Sequence, residues 1–277
     1  MLPAKTTCFF MASTIVCKNC SREFEGKFCP KCGQKAKTGR ITIKQVFNDA
    51  RQHFIHFDQG FLYTTKELVV RPGHSIREYI EGKRVRHIKP VRFMFWATAI
   101  SFLIFHFVGL DQDLKQKMES QQSAMTSAKA QIMSQKLFQV VTDHPAVLLL
   151  LMIPMITLWS WLLFRRKGYN YAEHFVLNSY LMGELSLAAI VTAPISKILS
   201  NYVSTTWEIT LFSVILWVIY YGWAYGQFFL SPRKIGVWLK GAISVLLGYV
   251  LMIFAISILV FIVVLFFKSQ LEAWLLQ

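Results

Sequence analysis

From Phe93 onward the chain is dominated by long uncharged apolar runs, and before that point the pattern is different. A helix crossing about 30 Å of hydrocarbon needs roughly 20 predominantly apolar residues. Phe93–Leu110, Pro145–Phe164, Ile209–Leu230 and Gly241–Phe267 meet that length, the last with enough surplus to tilt. A fifth run, Phe175–Ile195, is interrupted by Asn178 and Glu184. Upstream, the apolar residues are spaced for short one-faced helices instead. Val46, Phe47, Ala50 and Phe54 follow a capping box at Thr42-x-x-Gln45, and a second helix is expected through Phe61–Val70, ending at Arg71-Pro72-Gly73. A second capping box, Ser75-x-x-Glu78, opens a third helix with Ile76, Tyr79 and Ile80 on one face and Gly82 as its stop. Short amphipathic helices with basic flanks are expected to lie in the membrane interface.

Composition agrees with a bilayer solvent, since the chain is 54% apolar and only 16% charged. Charge then orients it. Residues 1–90 hold 17 Lys and Arg against 7 Asp and Glu, a surplus of 10 out of the total of 15. Lys83, Arg84, Arg86, Lys89 and Arg92 crowd the entrance to the first run, where each cation near an anionic lipid surface gains roughly 1 kcal/mol. Two later loops are basic, Arg165-Arg166-Lys167 and Arg233-Lys234 with Lys240, whereas Lys197 stands alone between the third and fourth runs. Cytoplasmic loops accumulate cations, and both basic loops share a face only if the weak run also crosses. The expectation is therefore five spans with the N-terminus cytoplasmic and Lys268–Gln277 outside. The segment 111–144 is then an external, helix-prone loop in which Met118, Met125, Ile132, Met133 and Leu137 form an apolar stripe.

Chemistry concentrates in Cys17-Lys18-Asn19-Cys20 and Cys29-Pro30-Lys31-Cys32-Gly33, a C-x2-C-x8-C-x2-C pattern in a reducing compartment. Each pair suits a tight knuckle directing two thiolates at one ion, and four thiolates are the tetrahedral zinc set, with rubredoxin-like iron as the alternative. Gly33 can adopt the positive φ that a knuckle demands. Phe24 and Phe28 are expected to cover one side, with Glu25-Gly26 as a hairpin turn. So small a segment cannot fold on buried apolar area, and the metal should supply folding free energy of order 10 kcal/mol. Full thiolate ligation leaves no open position for a substrate, so the zinc is read as structural. His53, His56 and Asp58 form a weaker metal candidate without a fourth ligand.

The layout that follows is a flexible N-terminus at 1–16, where Met11 is a candidate start, a zinc ribbon at 17–37, basic juxtamembrane helices at 38–90 and an all-α five-span domain at 91–277. Cys17, Cys20, Phe28-Cys29-Pro30-x-Cys32-Gly33-Gln34-Lys35, Asp58-x-Gly60, Thr65, Pro72-Gly73 and Ile80-x-Gly82-Lys83-Arg84 through Pro90 resemble a family of Bacteroidota membrane proteins of unknown function, over roughly residues 17–95. The five-span plan also resembles the Yip1-type membrane proteins, which implies trafficking or membrane-organising roles, although the ribbon departs from their plan.

Within the spans, Glu184 is the costly residue, because an intramembrane carboxylate must be paired, hydrated or protonated; Asn178, Ser179 and Ser186 are its candidate companions. His106 reads as interfacial. Pro154 and Pro194 can kink their helices, Gly222-x-x-x-Gly226 permits close helix approach and an oligomer contact through the fourth span, and Tyr220, Tyr221, Trp223 and Tyr225 read as an interfacial aromatic belt. No nucleotide loop, nucleophile–base pair or paired carboxylates is visible. The expected function is a non-enzymatic membrane adaptor or organiser that docks a protein partner through the ribbon. A small transporter or channel using Glu184 and a membrane-tethered nucleic-acid binder are the competing readings.

Overall fold

The computed structural model describes residues 14–51, 60–109, 145–199, 206–230 and 234–266. The candidate metal residues His53, His56 and Asp58, the methionine stripe of 111–144, the start at Met11 and the tail 268–277 lie outside the described residues. Two short antiparallel strands, β1 (Ile15–Val16) and β2 (Glu23–Phe24), precede helices α1 (Ile43–Arg51), α2 (Gly60–Val70), α3 (Pro72–Glu81), α4 (Pro90–Val108), α5 (Pro145–Phe164), α6 (Tyr171–Leu199), α7 (Thr206–Phe229) and α8 (Lys234–Phe266). Among the described residues three helices are long and apolar enough to cross a membrane, over Pro90–Val108, Tyr171–Ile195 and Ile235–Ile258. The second of these is the run that Asn178 and Glu184 interrupt. The remaining two apolar runs form α5 and α7, of 20 and 24 residues.

Burial explains the weak hydropathy of α6. Every residue from Ala172 to Leu185 is buried, with α4, α5, α7 and α3 packed around this helix. A helix whose neighbours are protein has no need to present apolar atoms to lipid, so it can carry polar side chains that find partners. α8 is the opposite case: Ile243, Leu246, Val250, Ile253 and Phe254 are exposed along it while Val237, Ala242 and Val245 pack inward on α5 and α7.

The juxtamembrane helices pack on this bundle. α3 buries Pro72, Gly73, Ser75, Ile76, Tyr79 and Ile80. It lies so close to α7 that a Cβ on Gly73 would meet the Ala224 carbonyl at 2.2 Å and the Phe228 nitrogen at 2.4 Å. Pro72, not Ser75, opens α3, because proline at the first helical position loses no hydrogen bond and its φ is already helical. Ser75 is thus buried inside the helix, and Glu78 pairs with Arg71 and Lys83 rather than serving a cap. Thr42 does cap α1, accepting the Gln45 amide at 3.3 Å. Gly82 does end α3, at φ 122° with its amide on Glu78 and Tyr79 carbonyls. α2 buries Phe61, Thr64 and Leu68 but leaves Leu62, Val69 and Val70 exposed, so it keeps an apolar outer face.

One end of the bundle collects several helix termini. The 168–173 segment between α5 and α6 meets Arg40, the end of α7 meets α3, Tyr180 donates to the Ile88 carbonyl just before α4, and Gly241 near the start of α8 abuts Tyr225 near the end of α7. The ribbon sits at this same end.

His87, between α3 and α4, packs edge-on against Tyr63 and Tyr79. Burial pushes its imidazole down to about 4, with Glu67 and Glu78 opposing the shift only in part. The folded state therefore holds His87 neutral, and the unfolded chain binds a proton that the fold refuses once pH drops below about 6.5. Stability is full above that pH and falls between about 6.5 and 4, by up to about 3 kcal/mol. Thermal melts of His87→Phe in detergent should lose this acid-side decline while matching the parent at pH 8.

Candidate metal centre and polar interior

Each C-x2-C pair is itself the turn of a small hairpin. In the first knuckle the Cys17 amide donates to the Arg22 carbonyl and the Ser21 amide to the Cys17 carbonyl; in the second, the Cys29 amide donates to Gln34 and the Gly33 amide to Cys29, all at 2.8–2.9 Å. The two knuckles are thus equivalent residue for residue. β1 pairs with β2 across the first and Phe28 bridges to Lys35 across the second, so Glu25-Gly26 joins two hairpins and is not a hairpin turn itself. The repeated geometry needs a left-handed residue four positions after each leading cysteine. Gly33 takes φ 73° there as its lack of a Cβ allows, and Ser21 takes φ 57° despite having one. That strained serine escaped the sequence reading, although its offset from Cys17 equals that of Gly33 from Cys29.

The four sulfurs, from Cys17, Cys20, Cys29 and Cys32, lie within 4.8 Å of one another and none is in a disulfide. Cys17 and Cys32 are 3.5 Å apart, and Cys20 and Cys29 3.6 Å. Metal–sulfur bonds of about 2.3 Å in a tetrahedron separate sulfurs by about 3.8 Å, so this set fits one tetrahedral ion. As bare thiols they titrate apart. Desolvation opposes ionisation of Cys32, but hydrogen bonds from the Gln34 backbone, Asn19, Cys17 and Cys20 bring it down to about 7. The Arg22 backbone favours a thiolate at Cys20, yet desolvation and contacts with Cys29, Cys17 and Cys32 push that thiol up to about 11. A cation that holds all four deprotonated resolves the conflict. Around them only Phe24 is a fully buried ring; Phe28, expected to share that task, is 57% exposed.

The ribbon and its tether are bonded to the bundle. Gln34, buried, accepts the Arg84 amide at 3.2 Å, and Lys18 donates to the Thr38 carbonyl at 3.1 Å. Arg84 donates to the Gly39 carbonyl and to the Tyr79 and Ile80 carbonyls at the end of α3, and stacks on the Tyr79 ring. Further along the tether, Arg40 forms a two-pronged pair with Glu173, both contacts at 3.0 Å, and also donates to the Gly168 carbonyl. Glu173 belongs to a capping box that the sequence reading missed. Its carboxylate accepts the Asn170 amide at 2.7 Å while Asn170 Oδ1 accepts the Glu173 amide at 2.9 Å, at the start of α6. Asn170-x-x-Glu173 was a readable signal at the mouth of the third run. Asn170 Nδ2 adds a bond to the Ile41 carbonyl.

Of the five cations expected to face lipid headgroups, Arg86 is exposed, over the Tyr63 ring, and Lys83 is partly so, paired with Glu78. Of the other three, Arg84 and Lys89 are half-buried, Arg84 binding carbonyls as above and Lys89 pairing with Asp49 of α1 at 2.6 Å, and Arg92 is 5% exposed.

Inside the bundle, Glu184 is 5% exposed and its Oε2 has no hydrogen-bond partner among the described residues, with the Tyr220 phenol in electrostatic reach. Its expected companions are elsewhere. Ser186 joins Thr98 and Ser101 in a seam between α4 and α6, Ser179 donates to its own helix at Phe175, and Asn178 bonds Thr157 and Tyr225. The expected aromatic belt is also partly internal: Tyr221 and Tyr225 are fully buried, while Tyr220 donates to the Leu68 carbonyl and Trp223 is exposed. Gly222 is used within the chain, since a Cβ there would meet the Trp238 ring at 2.2 Å, and Gly226 has nothing within 4 Å. The close approach is therefore to α8.

The knuckle geometry gives a paired test. Ser21→Gly should relieve left-handed strain and tighten metal retention by up to about 1 kcal/mol, whereas Gly33→Ala should weaken it by about 1–2 kcal/mol. Competition of the purified protein with a chromogenic chelator measures both.

Among families, the one described as "Protein of unknown function (DUF3667)" matches residues 58–102, which run from α2 through α3 into α4. No curated protein and no solved structure matches the chain.

Proposed function

We propose that this chain is a non-enzymatic adaptor of the bacterial inner membrane, with five spans, a cytoplasmic N-terminus and an outer C-terminus, in which a structural zinc ion organises the ribbon as a docking platform for a protein partner. The observation that carries this reading is the closed four-sulfur set on a ribbon bonded to the bundle through Gln34, Arg84 and Arg40. A ribbon so placed moves with the membrane helices and keeps a fixed outer face. The ribbon exposes two apolar side chains, Val16 and Phe28, each 57% exposed, and the cations Arg22, Lys27, Lys31 and Lys35, which outnumber its exposed carboxylates Glu23 and Glu25. It suits an acidic partner with an apolar recess for Phe28. The five-span topology is supported by the gathering of alternate helix ends beside the ribbon together with the basic loop Arg165–Lys167, as loop charge requires.

A second reading, a small transporter, is favoured by one observation, the buried unpartnered Glu184 Oε2. The two readings separate cleanly. With a photo-crosslinking amino acid at Phe28 in whole cells, the adaptor reading expects a discrete protein adduct that Cys29→Ser abolishes together with bound zinc. Nucleic-acid adducts, or unchanged zinc and adducts in Cys29→Ser, would overturn it. Glu184→Gln should leave the adducts intact; a loss of proton or solute flux in proteoliposomes would instead establish the transporter.

A further inference from the structure

Three helices meet at a chain of hydrogen bonds remote from the ribbon sulfurs. His174 Nδ1 lies 2.5 Å from Ser160 Oγ, Ser160 Oγ lies 2.8 Å from Tyr225 Oη, and Tyr225 Oη lies 2.8 Å from Asn178 Oδ1. All four side chains have 0% exposure.

The far end of the chain sets its direction. The other terminal atom of the Asn178 amide is 2.9 Å from the His174 carbonyl, which can only accept, so that atom is the nitrogen and Oδ1 faces Tyr225. Oδ1 carries no proton, so the single phenol proton of Tyr225 goes to Asn178. Tyr225 Oη is oriented as a donor to Ser160 Oγ as well, but its one proton cannot serve both acceptors; Oδ1 has none to give and the serine does, so Ser160 donates to Tyr225. With its proton committed there, Ser160 accepts from His174, which places the imidazole proton on Nδ1 and the lone pair on Nε2. Nε2 is buried and has no hydrogen-bond partner among the described residues. The ring lies against Phe164 and Phe229, with centroids 6.4 and 5.7 Å away.

We propose that His174 is a proton-binding site in the bundle interior. A proton from water adds to the Nε2 lone pair and makes an imidazolium; no bond in the protein breaks, and Nδ1–H stays on Ser160. The hydrogen-bond chain ends on an amide oxygen that does not pass a proton on, so Ser160, Tyr225 and Asn178 are positioning residues that hold the tautomer and do not form a relay.

The groups around the ring are few. α5 contributes Ser160 and Phe164, its cations Arg165, Arg166 and Lys167 being exposed beyond its end. α7 contributes Tyr225 and Phe229, and α8 places Ser244 beside Tyr225. On α6 the adjacent Glu173 is held by Arg40. On α3, Arg77 is bonded to the Gln227 and Phe228 carbonyls, and Tyr169 packs on Phe229. This inference is independent of the adaptor reading.

Nitrogen-15 histidine spectra of the full-length protein in nanodiscs test it, with His174→Gln identifying the signal among the seven histidines of the chain. At pH 8 the expected species is the Nδ1–H tautomer, and acidification should convert it reversibly to imidazolium while the helices persist. Ser160→Ala and Tyr225→Phe should shift the tautomer ratio by about fivefold or more, equivalent to the loss of one hydrogen bond of about 1 kcal/mol. An Nε2–H tautomer at pH 8, or a His174 that stays neutral until the helices are lost, would overturn the proposal. If His174→Gln does not fold, the signal displaced by both Ser160→Ala and Tyr225→Phe identifies His174, and displacement of none would overturn it equally.

Discussion

Helix ends leave backbone carbonyls and amides without partners, and where those ends are packed together rather than bathed in water something must satisfy them. At the ribbon end of this bundle arginine does most of that work. Arg77 binds the last carbonyls of α7, Arg84 those of α3, and Arg40 binds the Glu173 carboxylate that caps α6. Guanidinium groups suit the role because each offers several donors in a fixed fork and stays charged when half-buried. The position of the four-cysteine ribbon follows, since two of these three arginines also hold the ribbon or its tether.

This arrangement reassigns much of the basic charge before the first span. A cluster of cations beside a membrane segment invites an electrostatic account based on lipid, and Arg86 remains available for it. Arg84 is bonded to backbone carbonyls and Lys89 to Asp49 at the junction, and Arg92 is buried. The ribbon is thereby a fixed extension of the bundle, whose outward chemistry is that of Phe28, Val16 and the surrounding lysines.

The second organising fact is the centrality of α6. A helix surrounded by other helices can exchange apolar surface for hydrogen bonds, and α6 does so with Asn178, bonded to α5 and α7, His174, bonded to α5, and Ser186, bonded to α4. Glu184 is the exception, buried with one oxygen unmatched. Low hydropathy here marks a central position in the bundle. Tyr225 behaves likewise: a tyrosine near an interface looks like a belt residue until the helix rotation turns its hydroxyl inward onto Ser160 and Asn178.

What the sequence alone determined are the features carried by spacing along the chain: the apolar runs, the paired cysteines, the Thr42 cap and the Gly82 stop, all of which depend on residues a few positions apart. The equivalence of Ser21 with Gly33 and the Asn170–Glu173 box were equally local and could have been read. Tertiary structure decided everything that depends on which way a helix faces and what it meets: the docking of α3 on α7 at Gly73, the internal use of Gly222, the pairing of Arg40 with Glu173 across 133 residues and the hydrogen-bond chain at His174. The physical reason is that helical periodicity constrains neighbours three or four residues apart, whereas a long-range contact is fixed only when several helices pack and their rotations are set together. The cysteines were legible because metal coordination demands a short fixed spacing. The polar interior was not, because its partners come from three different helices.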